Sequence, residues 1–285
     1  MAADQKSSPQ QRRGLAQRAG KIRNQKFYLL TDLEGPAGVS LWSQTREPSN
    51  VNKLFAMNLL TEEVNAAVAG ILDVHPRAEV HVLDGHGAMG INAGRLHPWA
   101  KLWLGQFPDR LAGLDSSYRA VLFVGQHAMA GTPDAPLCHT YSSREVESYQ
   151  LNGEKIGEFG CRTLLAASVG VPVIFLSGDD KAVAEAKAFL PSLETVTTKT
   201  GGGVQWALHL SPTESRALIR RGVRKAVKAL ARGRSSPLPE RKAPYELVVT
   251  LLPGAQVEAL VKRGGRRVGR NKVVFRSKSL LDLPI

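Results

Sequence analysis

Apolar residues fall along this chain in short continuous runs, separated by stretches where they recur every three or four positions. Phe27-Tyr28-Leu29-Leu30-Thr31 is the first run, and Glu79 to Leu83, Arg119 to Val124 and Val171 to Leu176 repeat it. Runs this short, without polar alternation, suit strands covered on both faces. Between them, Leu54, Met57, Leu60, Val64, Val68 and Ile71 keep helical spacing and predict a helix over Val51 to Leu72. Glu158 to Ala167 and Lys181 to Phe189 predict two more. Strands alternating with helices give the fold class α/β, with a doubly wound, mainly parallel sheet.

Elsewhere the pattern differs. Tyr149 to Ile156 predicts a hairpin about the Asn152-Gly153 turn. Past Leu190-Pro191, Gly201-Gly202-Gly203 is expected to open a helical stretch. Thr213 to Leu230 predicts a basic amphipathic helix entered through Ser211-Pro212. Arg232 to Pro244 reads as a linker, and Glu246 to Leu252 and Val273 to Phe275 read as strands around Gly264-Gly265. The expected organisation is a disordered basic leader over 1–25, an α/β domain over 26–193 and a smaller C-terminal α+β domain over 194–285.

Charge adds one constraint. The formal net charge is +13 and the pI about 10.0. Its basic groups gather in the leader and in the last third, from Arg220-Arg221 to the cluster Lys262 to Arg270, away from the candidate chemistry below. No aromatic residues interleave with the basic helix to stack bases, so nucleic acid is not the expected partner. No apolar run is long enough to span a bilayer, and Arg12-Arg13 has no apolar segment behind it. Only Cys138 and Cys161 are present, which fits a reducing, cytoplasmic setting.

The candidate chemistry lies where the strands end. Asp32 and Glu34 follow the first run at i and i+2, so in extended backbone both point to one spot. Asp84-Gly85-His86 follows the second strand and Gly125-Gln126-His127 the third. In doubly wound sheets, ligands sit outside the carboxyl ends of the strands. Glu158 opens a helix, where the macrodipole alone accounts for a carboxylate and a ligand role fits equally well. Asp, Glu and His together suit zinc or a similar divalent ion. Five such residues exceed the needs of one tetrahedral ion and suffice for two ions sharing a bridging carboxylate. No Gly-rich phosphate loop follows the first strand, which weighs against nucleotide chemistry.

Plainer readings stand beside these. An Asp-x-Glu turn is more often solvated than functional, and Asp179-Asp180 reads as the N-cap of the helix after it. His97 before proline reads as structural. Cys138 beside His139 invites a cysteine nucleophile, yet adjacent loop residues rarely face one another. His75, His81 and His209 have no partner visible in the sequence.

Taken together, the motifs resemble the D-aminopeptidases of the dipeptide-transport operon type, self-compartmentalising binuclear zinc peptidases. The likeness is carried by Asp32-Leu33-Glu34-Gly35, Asp84-Gly85-His86, Leu96-His97-Pro98, Gly125-Gln126-His127-Ala128, Thr132-Pro133 with His139, and Asn152 through Gly157-Glu158-Phe159-Gly160. Gly178-Asp179-Asp180 and Thr197-Thr198-Lys199 extend it to about residue 199. The resemblance implies that Asp32 bridges two zinc ions, with Glu34, His86, His127 and Glu158 completing their coordination. Cobalt or manganese would be possible substitutes. It implies that His139 is catalytic rather than a ligand, that the substrate is a short peptide with a free N-terminus, possibly containing D-residues, and that the assembly is a ring-like homo-decamer. Two alternatives stay open: another metal-dependent amide hydrolase on the same scaffold, and a basic nucleic-acid-associated protein with a degenerate site.

Overall fold

The computed structural model describes residues 25–46, 51–87 and 89–285, so the basic leader expected over 1–25 lies, except for Gln25, outside the described residues. The chain runs β1 (Lys26–Thr31), α1 (Val51–Leu72), β2 (Glu79–Asp84), β3 (Ala100–Trp103), β4 (Tyr118–Gln126), β5 (Val146–Leu151) and β6 (Glu154–Lys155). It continues through α2 (Glu158–Ser168), β7 (Val173–Asp179), α3 (Asp180–Phe189), β8 (Glu194–Gly203), β9 (Trp206–His209) and α4 (Pro212–Ala231). Last come β10 (Tyr245–Leu251), α5 (Val257–Lys262), β11 (Arg266–Arg267) and β12 (Lys272–Ser277).

The larger sheet has seven strands in the order β3-β2-β1-β4-β7-β8-β9, all parallel except β9. Alternate residues of each strand serve opposite faces. Phe27, Leu29, Val80, Val82, Ala120 and Leu122 face α1 and α4, joining Leu60, Val64, Val68, Ile219 and Val223 in one core. Tyr28, Val121, Phe123, Val173 and Leu176 face the other way, onto Phe159 and Ala166 of α2 and Ala186 of α3. Phe27 and Leu29 are fully buried, and each such side chain contributes about 1.5–3 kcal/mol of transfer free energy. Helices on both faces make the sheet doubly wound, as the apolar runs require.

A second, antiparallel sheet has the order β11-β12-β10-β5-β6. Its inner face (Tyr149, Leu151, Leu247, Val249, Val273, Phe275) packs on Cys161, Leu164 and Leu165 of α2. Helix α2 is therefore clamped between the two sheets. The sheets divide the chain differently from a cut at 193. β8, β9 and α4 belong to the larger layer, with Phe175 of β7 paired to Glu194 of β8. The smaller sheet pairs β10 with β5.

Gly201 to Gly203 are not helical; they end β8 in a hairpin with β9. Glycine is a poor helix former, and here it makes room for an indole. A Cβ on Gly202 would lie 2.0 Å from the Trp206 ring. The Asn152-Gly153 hairpin forms as expected, with φ of 51° and 85° at its two turn residues. Among the described residues no helix is long and apolar enough to cross a membrane.

Candidate metal centre

In the larger sheet the strand order reverses between β1 and β4, which is where an open α/β sheet leaves a crevice. The ends of these two strands are brought unusually close. The Asp32 amide donates to the Val124 carbonyl at 3.0 Å and the Gly35 amide to the Gly125 carbonyl at 2.7 Å. A Cβ on Gly35 would lie 2.1 Å from the Gly125 carbonyl carbon, and one on Gly125 would lie 2.1 Å from the Asp32 carbonyl oxygen. Glycine at both positions is what lets Asp32 and His127 share one spot. Lys199, buried in β8, sits beneath the same turn and donates to the carbonyls of Glu34, Pro36 and Val39. Burial pulls its ammonium down to about 8.

Six side chains converge above this turn. His86 Nδ1 lies 3.2 Å from Asp32 Oδ1 and 3.2 Å from Glu34 Oε2. His127 Nε2 lies 3.2 Å from Asp32 Oδ2 and 3.5 Å from Glu158 Oε1. Asp32 thus offers one oxygen to each of two neighbouring groups of donors, Asp32/Glu34/His86 and His127/His139/Glu158. His139 stacks on His127, ring centroids 4.0 Å apart, with its Nε2 3.8 Å from Glu158 Oε1.

The backbone decides which ring nitrogens face inward. His86 Nε2 meets the Thr45 carbonyl at 2.9 Å, His127 Nδ1 the Ala128 carbonyl at 2.9 Å, and His139 Nδ1 the Leu137 carbonyl at 2.9 Å. A carbonyl only accepts, so each of these nitrogens carries the proton. The opposite nitrogen of each neutral ring then turns a lone pair toward carboxylates. Lone pairs facing carboxylate oxygens repel unless a cation or a proton lies between them. Glu34 Oε2 and His127 Nε2 are buried with no hydrogen-bond partner among the described residues. Histidines oriented by carbonyls, with inward lone pairs and an orphaned carboxylate oxygen on Glu34, form a donor set that fits divalent zinc.

Burial works against charge on His86 and His127, but Glu34 and Asp32 beside the first, and Asp32 and Glu158 beside the second, hold both well above the usual imidazole range. Burial likewise pushes Glu34 and Glu158 upward. The imidazoles outweigh it, chiefly His86 for Glu34 and His127 for Glu158, leaving Glu34 well below the carboxylate range and Glu158 at about 2. His139 differs: burial and the neighbouring His127 cation lower it, keeping its ring neutral.

A family model described as D-aminopeptidase matches residues 25–284. The chain belongs to the D-aminopeptidase family. It is 28% identical over 269 residues to the D-aminopeptidase of Bacillus subtilis (strain 168), covering 90% of this chain and 93% of that one. Among solved structures it resembles the Zn-dependent D-aminopeptidase DppA from Bacillus subtilis, a self-compartmentalizing protease. There the TM-score is 0.81 at 27% identity, with 90% of this chain and 93% of that chain covered. The mostly parallel sheet with its antiparallel companion is thus the fold of a D-aminopeptidase.

In this D-aminopeptidase family member the structure brings together Asp32, Glu34, His86, His127, Glu158 and His139. The other candidates go elsewhere. Asp179 caps α3, accepting from the amides of Lys181 and Ala182. Cys138 Sγ donates to the Thr132 carbonyl at 3.6 Å while His139 Nδ1 is tied to Leu137, so they form no thiol–imidazole pair. His75 stacks on Phe27, His81 Nδ1 bonds the Tyr118 hydroxyl, and His209 accepts from the Gly38 amide. Sequence reasoning missed Arg46, Tyr141, Arg144 and Arg162, which line the cavity over the centre. For Arg162 a signal existed: it follows Glu158 by four residues, on the same helix face.

Proposed function

We propose that this chain is a zinc-dependent aminopeptidase that releases the N-terminal residue of short peptides, including those with D-residues, in the cytoplasm. The observation that carries the reading is the set of carbonyl-oriented imidazoles aimed at buried carboxylates, at the crevice of a D-aminopeptidase fold. Likeness to a Zn-dependent relative supports zinc as the metal. Two ions per chain suit the split donor set, with Glu34 and His86 on one side, His127 and Glu158 on the other, and Asp32 between. When bound, zinc supplies Lewis acidity, lowering the pKa of a water toward neutrality and polarising the scissile carbonyl.

The remaining work falls to the chain's own groups. His139 enters the reaction with Nδ1 donating to Leu137, so its Nε2 is an acceptor. It takes a proton from the attacking water, then holds an N–H toward the developing oxyanion, and returns that proton to the leaving amine. Likeness to a self-compartmentalizing protease supports a homo-oligomer, and the ring-like decamer belongs to this proposal too.

Hydrolysis of D-Ala-D-Ala by the full chain, followed by release of free alanine, tests the reading. Turnover abolished by a chelator and restored by zinc is expected. Turnover unaffected by complete metal removal would overturn it.

A further inference from the structure

Arg162 and Glu158 stand one turn apart on α2 and line one cavity of about 380 Å³ with Asp32, His86 and His139. Arg46 and Arg144 line it too, so the cavity mixes the centre's carboxylates with three guanidinium groups. Arg162 is the one that shares helix α2 with Glu158. One of its N–H groups donates to the Arg110 carbonyl at 3.0 Å, and its guanidinium carbon lies 5.9 Å from the Tyr141 ring centroid. Among the described residues, no carboxylate lies within ion-pair distance of it. Glu158, the nearest acid along the helix, is committed elsewhere: it accepts from the Tyr141 amide at 2.7 Å and faces His127 and His139.

Glu158 lends this half-buried guanidinium electrostatic support without touching it, and the N–H groups not taken by the Arg110 carbonyl form a planar fork matched to a carboxylate. The proposed reaction brings such a carboxylate. Side chains four apart on a helix lie about 5–6 Å from each other at Cβ, and one peptide residue spans at most about 3.3–3.6 Å. A peptide whose first bond lies beside Glu158 therefore reaches Arg162 within one or two further residues.

We infer that Arg162 anchors the C-terminal carboxylate of the substrate, making the enzyme selective for short peptides that end in a free acid. This rests on the peptidase reading above. Arg162 is a specificity residue here; it takes no part in proton transfer.

The test compares D-Ala-D-Ala with its C-terminal amide on the full zinc-loaded chain, for wild type, Arg162→Gln and Arg162→Lys. A charge-assisted anchor predicts that wild type favours the acid by on the order of tenfold to a hundredfold in kcat/KM. Arg162→Gln is expected to lose that preference through a raised KM for the acid, with KM for the amide and metal content unchanged. Arg162→Lys is expected to keep part of it. Equal wild-type rates on acid and amide would overturn the anchor whether or not the variants fold. So would an undiminished acid preference in Arg162→Gln, or a metal content that falls with the preference, which marks a role in holding α2. Cleavage of neither peptide by wild type would instead overturn the peptidase reading, and the anchor with it.

Discussion

The Gly35 amide meets the Gly125 carbonyl at 2.7 Å, with no room for a methyl group between the two backbones. This contact sets the distance between the ends of β1 and β4, and so between Asp32 and His127. Gly35→Ala would press a Cβ onto backbone atoms that have no rotamer to yield. The expected cost is about 1–3 kcal/mol of stability, together with loss of bound metal. Denaturant unfolding and metal content check both, and a variant with wild-type values for each would show that the turn does not position the site.

Glu63 gives a pH dependence independent of the metal ligands. It is buried on α1, accepting from the Ala37 amide at 3.0 Å and the Ser215 hydroxyl at 2.7 Å. Burial, opposed by these bonds and by Lys199, raises it from 4.5 to about 7. Between those two values the folded chain holds a proton that the unfolded chain has released. Stability therefore falls as pH rises through that window. Glu63→Gln removes the titration, so the stability of the variant relative to wild type should rise across it by on the order of 1–3 kcal/mol. Urea unfolding at several pH values reads this directly, and a flat difference contradicts it.

His139 and Asp32 should separate chemistry from coordination. His139→Ala is expected to keep its fold and metal while losing on the order of a hundredfold to a thousandfold in kcat, with KM little changed. Asp32→Ala is expected to lose more metal than any other single substitution, because its two oxygens face different donor groups. Metal lost along with activity in His139→Ala would make His139 a ligand. Full activity there would make it a bystander.

The strand ends were legible because each apolar run is continuous and its acid or imidazole follows at once. Asp32, Glu34, His86 and His127 could be placed on one sheet edge from this alone. Glu158 could not, since its position depends on α2 being held between two sheets whose pairing, β5 with β10, joins residues far apart in the chain. Lys199 entered only as part of the Thr197-Thr198-Lys199 likeness, because the three carbonyls it serves lie more than 150 residues earlier in the sequence. His139 follows a Pro-rich loop, and only family likeness pointed to it. Gly201 to Gly203 misled because a glycine run shows neither strand period nor helix period, and the indole it accommodates comes after it.

The central claim is a two-ion centre built on Asp32, and elemental analysis of the purified full chain, dialysed against metal-free buffer, tests it most directly. The account predicts close to two zinc ions per chain, or two of an exchanged cobalt or manganese. A chain that holds no divalent metal yet releases N-terminal residues from short peptides would contradict it, and a stoichiometry that stays at one ion would remove the bridging role of Asp32.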